Sequence, residues 1–343
     1  MGGKSGRIYL IGSNLATDSL AFRKFVTYMP APASPFPSRH STGGWLPADR
    51  LKAFAESETD AHRICTISTG WIERFGEDVL ISHKDEPTLA TLREGLAAWA
   101  AANAFQPRRV FGKFLPLQNE ERIAPVLLEG DASLSLLTTV RESGVRYGLD
   151  FGAGYSAGLF IDQRANRAFV RRSQPKRLLN TFAYTCSFSV VAAMAGAETV
   201  SVDLSKKSVD RGRENFVLNN LDATKHRFYA DDVLDVLPRL ARKNERFDII
   251  ILDPPTFSRG NKGRRFQVEK DMEALLVASL ELAAPRGKIL LSTNCTRLNR
   301  RALESIARFA FKTTRRAADF HAEPPLPDIP AEAAAQTLWL LLK

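Results

Sequence analysis

From Arg177 onward the chain alternates short apolar runs with longer amphipathic ones, and this rhythm constrains its fold more than any other feature. Arg177 to Thr181 reads as a strand and Ser187 to Ala195 as the helix after it. Thr199 to Asp203 is a second strand, followed by a helix, Lys206 to Asn219, with Val209, Phe216 and Val217 at helical spacing. His226 to Tyr229 and Phe247 to Leu252 are strands, Val268 to Ala283 a helix, Lys288 to Ser292 a strand, Arg300 to Phe311 a helix and Thr337 to Leu342 a last strand. Such alternation predicts an α/β fold with a doubly wound, mainly parallel sheet. The run Phe247-Asp248-Ile249-Ile250-Ile251-Leu252 is almost wholly apolar, as a strand covered on both faces must be, and belongs at the centre of that sheet.

The preceding sequence has a different grain. Gly70 to Lys84 reads as strand or hairpin, Thr88 to Asn103 as an alanine-rich amphipathic helix and Arg109 to Leu115 as strand. Val126 to Leu128 and Tyr147 to Phe151 lie in turn-rich sequence with no crossover helix between them. Residues 61–172 are therefore expected to form a smaller α+β accessory domain that binds substrate, ahead of a cofactor-binding domain over 173–343. Residues 1–60 are expected to be poorly structured. The first 48 carry five Lys+Arg, six Ser and one acid, Asp18, a composition shared by disordered tails and organellar transit peptides. The location expected is cytoplasmic, or organellar if this stretch is a transit peptide. Gly3-Lys4-Ser5 lacks the earlier glycine and strand of a phosphate-binding loop.

Cys65, Cys186 and Cys295 are too far apart for a disulfide framework or a zinc site, and His62, His226 and His321 lack metal-ligand spacing, so no metal is expected. No apolar run approaches the roughly 20 residues of a membrane helix. The net charge of +10 favours a polyanionic partner, because each neutralised phosphate releases counterions.

In open α/β sheets the ligand sits beyond the carboxyl ends of the strands, where this sequence sets a series of acids. Asp203 closes the second strand, where a carboxylate can accept hydrogen bonds from both hydroxyls of a ribose. Asp231-Asp232 closes the third, with Asp232 suited to the exocyclic amine of an adenine, and Asp253-Pro254-Pro255 closes the fourth. Thr185 and Ser187, in the turn after the first strand, would meet the methionyl end of S-adenosylmethionine. A dinucleotide would require Gly-x-Gly-x-x-Gly in that turn, and the glycines are missing.

Four separated motifs carry a family resemblance: Phe160-Ile161-Asp162-Gln163-Arg164-Ala165-Asn166-Arg167, Phe182-Ala183-Tyr184-Thr185, Asp253-Pro254-Pro255-Thr256-Phe257-Ser258 and Ser292-Thr293-Asn294-Cys295-Thr296. Through them residues from about 68 to 343 resemble the bacterial large-subunit ribosomal RNA methyltransferase family that includes the cytosine-C5 enzyme methyltransferase I. No counterpart of that family's amino-terminal PUA RNA-binding domain is recognised. The resemblance implies a Rossmann-like class I methyltransferase using S-adenosylmethionine, a ribosomal RNA substrate, and a cofactor loop holding Phe182 and Tyr184. Alone, Asp162 to Arg167 reads as a hairpin with surface charges; the resemblance gives Gln163 and Arg164 a part in closing the cofactor site. Cys186 stands where the family usually has glycine. A homodimer is compatible with the sequence.

The expected reaction is formation of 5-methylcytosine in ribosomal RNA with Cys295 as nucleophile, since a thiolate added at C6 makes C5 reactive. Arg297, Arg300 and Arg301 would lower its pKa. Asp253 would anchor the base edge, Pro254 and Pro255 would stiffen the loop, and Phe257 would stack on an extruded base. Arg259, Lys262, Arg264, Arg265 and Lys270 would follow RNA phosphates. The same loop suits guanine methylation with no nucleophile, and a silent RNA-binding protein of this fold is the third alternative.

Overall fold

The computed structural model describes residues 44–116, 121–260 and 263–343. Most of the basic amino-terminal stretch, with Gly3-Lys4-Ser5, and Lys262 lie outside them. Helix α1 (Ala48–Glu56) leads into a five-stranded sheet whose strands stand in chain order: β1 (Ala61–Ile67), β2 (Gly70–Phe75), β3 (Asp78–His83), β4 (Arg109–Phe114) and β5 (Val126–Gly130). Strands β3 and β4 are parallel, so a crossover must join them, and α2 (Glu86–Ala102) supplies it. Asp85 caps α2 by accepting from the Thr88 amide at 2.8 Å. Leu89, Leu92, Leu96 and Trp99 of α2 cover one face of the sheet, formed by Ile64, Ile72, Val79, Ile81 and Val110.

A hairpin of β6 (Leu137–Glu142) and β7 (Val145–Asp150) follows, then a 3-10 turn (Ile161–Gln163) that runs into α3 (Arg164–Ser173). The charged stretch that reads as a surface hairpin is thus the start of a helix, and Arg164, Asn166 and Arg167 are buried in it.

The remaining chain forms a seven-stranded sheet of β8 (Arg177–Thr181), β9 (Glu198–Asp203), β10 (Arg227–Ala230), β11 (Phe247–Leu252), β14 (Ala283–Thr293), β15 (Ala318–His321) and β16 (Gln336–Leu342). Their order is β10-β9-β8-β11-β14-β16-β15, parallel up to β14, with β16 antiparallel to both its neighbours. The apolar run 247–252 is central, as its composition requires. Ile249 and Ile251 face a core with α3, α4 (Ser187–Met194) and α5 (Lys206–Leu218). Ile250 and Leu252 face the other, with α6 (Val233–Arg242), α7 (Val268–Leu282) and α8 (Arg300–Thr314). Strand alternation thus covers both faces. Helix α6, strand β15 and a small hairpin, β12 (Phe257–Arg259) with β13 (Arg265–Gln267), are elements the sequence pattern did not reveal.

The two large sheets share a core. The face of the five-stranded sheet opposite α2 contributes Phe75, Leu80 and Phe111 to a cluster that continues through Phe151 to Leu178, Ile251 and Trp339 of the larger sheet. Phe111 and Phe151 stack with centroids 4.2 Å apart.

Candidate functional site

Parallel register brings the strand ends together. Thr181 is paired with both Val202 and Leu252, and Asp203 with Ala230, so β8 to β11 end along one line. Asp203, Asp232 and Asp253 accordingly stand along one edge. The loop after β8 has three left-handed residues at alternate positions, Phe182 (φ 52°), Tyr184 (φ 47°) and Cys186 (φ 60°), a costly conformation for side chains with a Cβ. It curls the backbone so that the Tyr184 amide donates to Asp203 Oδ2 at 2.8 Å, while the Ser205 amide donates to Oδ1 at 2.8 Å. Each oxygen retains acceptor capacity, and burial raises this carboxyl's pKa. A partly desolvated carboxylate with free lone pairs fits the diol of a ribose.

Cys186 occupies a left-handed position that glycine would fill without strain. Its fully buried thiol, pushed up to about 12 by burial, packs on α5 where the helix has Gly212. A Cβ on Gly212 would lie 2.4 Å from Cys186 Sγ. The bulk missing from one position is present at the other. The thiol is therefore a packing group.

The other loop residues divide by contact. Thr185 is buried and its hydroxyl donates to the Gly158 carbonyl at 2.6 Å, so its side chain fixes the turn instead of facing a ligand. Tyr184 donates through its hydroxyl to the Ser156 carbonyl at 2.7 Å, and its ring lies 5.4 Å from that of the exposed Phe160. Phe182 packs near Phe266 of β13, at 5.7 Å. Ser187 is partly buried at the first position of α4. Asp232 caps α6 by accepting from the Leu234 amide at 2.9 Å. Its other oxygen faces Gly260, whose missing Cβ would stand 2.2 Å away. The β12–β13 hairpin thus lies over the Asp232 carboxylate, an approach that only glycine permits.

A hydrogen-bond chain ends on Asp253. Trp339 Nε1 donates to Asn166 Oδ1 at 2.8 Å, Asn166 Nδ2 to Gln163 Oε1 at 2.8 Å, and Gln163 Nε2 to Ser292 Oγ at 2.9 Å. The hydroxyl of Ser292 then bonds the Asp253 carboxyl. Every donor points the same way, so the bonds polarise one another toward that carboxylate. Burial raises the Asp253 carboxyl to about 6; the Ser292 bond opposes this, nearby Asp162 adds to it, and Arg167 opposes it. Gln163 thus stands one hydroxyl away from Asp253. Asn166, Ser292 and Trp339 were not singled out in the sequence, although two of them lie within the quoted motifs.

A family model described as S-adenosylmethionine-dependent methyltransferase matches residues 64–341. The chain belongs to that family. It is 39% identical over 178 residues to YwbD of Bacillus subtilis (strain 168), a provisionally named ribosomal RNA large subunit methyltransferase; the match covers 51% of this chain and 45% of that protein. It is 36% identical over 166 residues to ribosomal RNA large subunit methyltransferase I of Aeromonas salmonicida (strain A449), covering 48% of this chain and 41% of the relative. The matched regions span under half the length of either relative. The crystal structure of SMU.776, assigned as a methyltransferase and complexed with SAH, superposes with a TM-score of 0.72 at 27% identity, covering 85% of this chain and 78% of that one.

The methyltransferase uses S-adenosylmethionine, and its structure corrects several expected roles. Arg164 does not close the cofactor site: its guanidinium forks onto Asp328 with two bonds of 2.9 Å and reaches the Ala61 carbonyl at 3.3 Å. It ties α3 to β1 and to the segment before β16. Arg264 is ion-paired with Asp235 at 3.0 Å and lies 3.8 Å from Asp232, so acids inside the protein already neutralise it. Cys295 is 4% exposed among the residues covering β11 and β14, and its Sγ donates to Glu269 Oε1 at 3.1 Å. Of the arginines expected to activate it, Arg297 pairs with Glu269 at 2.7 Å and Arg300 with Glu304 at 3.4 Å. Pro254 is buried, whereas Pro255, Phe257, Arg259 and Arg265 are exposed. Among the described residues no group of His, Cys, Asp and Glu could hold a metal ion.

Proposed function

We propose that this methyltransferase modifies RNA, ribosomal RNA by the names of its relatives, and that it methylates a guanine nitrogen without a covalent thiol intermediate. The reading rests on Asp253. An ionised carboxylate only accepts hydrogen bonds, and guanine offers N1–H and the exocyclic amine as adjacent donors. N3 of cytosine is itself an acceptor, so an ionised Asp253 would meet cytosine through one donor, its N4 amine, against two on guanine. With its carboxyl at about 6, Asp253 is mostly ionised at neutral pH.

S-adenosylmethionine supplies the methyl group; the chain's task is to hold and orient the base. Phe257, 46% exposed beside Asp253, offers a ring to an extruded base, with Pro254 and Pro255 keeping the loop stiff. Arg259 and Arg265 are direct partners across the β12–β13 hairpin. Like charges in such a pair destabilise a hairpin unless an anion lies nearby, which supports phosphate contact there.

Cytosine-C5 methylation is the second reading, favoured by the Cys295–Glu269 bond, because Glu269 could take the thiol's proton. The deciding experiment is nucleoside mass spectrometry of ribosomal RNA from cells lacking the protein, complemented with wild type or Cys295→Ala. A missing methylguanosine that Cys295→Ala restores is the expected result. A missing 5-methylcytidine that Cys295→Ala leaves unrestored would establish the covalent route instead. Calorimetry adds the remaining distinction, since RNA binding without S-adenosylmethionine binding would mark a silent protein.

A further inference from the structure

The inward face of the five-stranded sheet changes character along its strands. Where Phe75, Leu80 and Phe111 point, it is core; farther along, one rung crosses four strands as Thr66, Trp71, Ser82 and Lys113, each the register partner of the next. Thr66 Oγ1, Trp71 Nε1 and Ser82 Oγ are buried without a hydrogen-bond partner among the described residues. Arg63, 5% exposed, is likewise without partners at Nε and Nη1, while its Nη2 meets Glu73 at 3.2 Å. Unpaired polar groups are unusual in an interior, and several at one place form a surface suited to a polar occupant.

Cations and rings surround the same rung. The Arg63 guanidinium lies 4.9 Å from the Trp71 ring, Lys113 Nζ 5.9 Å from Trp71 and 5.2 Å from Tyr155, and Arg122 5.4 Å from Tyr155. Trp71, Lys113 and Tyr155 remain partly accessible. Burial lowers the Lys113 pKa, with Glu73 opposing and Arg63 reinforcing it. The cluster also continues toward Asp253. Asp162 feels the charges of Arg63 and Glu73 on one side, and Asp253 feels that of Asp162 on the other.

We propose that this cluster seats the nucleotides flanking the target base on a single-stranded segment of RNA. One base lies against the Trp71 and Tyr155 rings, and its backbone phosphate meets Lys113 and Arg122. Stacking on aromatic side chains with cations along the backbone is the general way proteins hold unpaired strands. The inference rests on the RNA reading given under Proposed function and extends it to a different part of the chain.

The test uses the full-length protein and a fluorescein-labelled, mixed-sequence, single-stranded RNA of about 12 nucleotides. Anisotropy reads RNA binding and calorimetry with SAH reads the cofactor site. Trp71→Ala and Lys113→Gln are each expected to weaken RNA binding about tenfold, and Trp71→Phe only slightly, with SAH affinity unchanged. Lys113→Gln also lowers the slope of log affinity against log salt by about one counterion. Wild-type RNA affinity in Lys113→Gln and Trp71→Ala, with SAH binding intact, would overturn the inference and leave the RNA reading standing. A wild-type protein that binds SAH but no RNA would overturn both. Should Trp71→Ala lose SAH binding through misfolding, the partly exposed Lys113→Gln decides alone.

Discussion

The contact between Cys186 and Gly212 can be examined by a double-mutant cycle. A methyl group on Gly212 would stand 2.4 Å from Cys186 Sγ and 3.0 Å from its Cβ, with the Thr185 carbonyl carbon 3.5 Å away. Carbon and sulfur cannot approach so closely, and the thiol is fully buried. Overpacking of this kind costs about 1–3 kcal/mol, while alanine in place of a helical glycine returns about 1 kcal/mol. Gly212→Ala alone should therefore destabilise the protein, and the displaced loop should lower SAH affinity. In a Cys186→Gly background the sulfur is gone and the left-handed backbone at 186 is unstrained, so Gly212→Ala should stabilise by up to about 1 kcal/mol. The predicted coupling is about 1–3 kcal/mol, the overpacking term itself, measured by urea unfolding of the four proteins. Effects that add within about 0.5 kcal/mol would refute the view that these two residues compensate each other.

Other outcomes follow from the charged groups. Asp253 has a folded pKa raised from 3.8 to about 6, so its contribution to stability is whole below the unfolded value and is eroded as pH rises through about 6. Asp253→Asn should therefore be more stable than wild type by about 1–3 kcal/mol near neutral pH, equal to it below about pH 4, and inactive; thermal melts at the two pH values check this. In wild type, initial methylation rates should fall as pH drops through about 6, because protonation removes the acceptor; a rate flat across that range would count against Asp253 as the base-edge acceptor. Arg164→Ala leaves the Asp328 carboxylate buried without its fork and should cost about 3–5 kcal/mol in urea unfolding, whereas a loss below about 1 kcal/mol would show the pair to be dispensable.

What could be read from the sequence was what is local. The central position of 247–252 follows from its almost continuous apolarity, and the alignment of Asp203, Asp232 and Asp253 follows from parallel strands that end together. The contacts of residues whose partners are distant in sequence could not be read in advance. Arg164 was given a cofactor role through the resemblance, and Asp328, which holds it, lies 164 positions away. Three arginines stand near Cys295 in the chain; folding gives two of them carboxylate partners and buries the sulfur, which the sequence could not show. The chain of donors onto Asp253 opens with a bond across 173 positions, from Trp339 to Asn166, which no local pattern could disclose. The β12–β13 hairpin is short and highly charged, so periodicity has nothing to register.

The core shared by the two large sheets bears on how a substrate is admitted. Prising them apart would expose Phe75, Phe111, Phe151 and Trp339 to water, so the two sheets resist separation. On the proposed reading the distortion needed for entry falls on the RNA. A loop that already displays an unpaired nucleotide enters readily, and a stiff duplex is turned away.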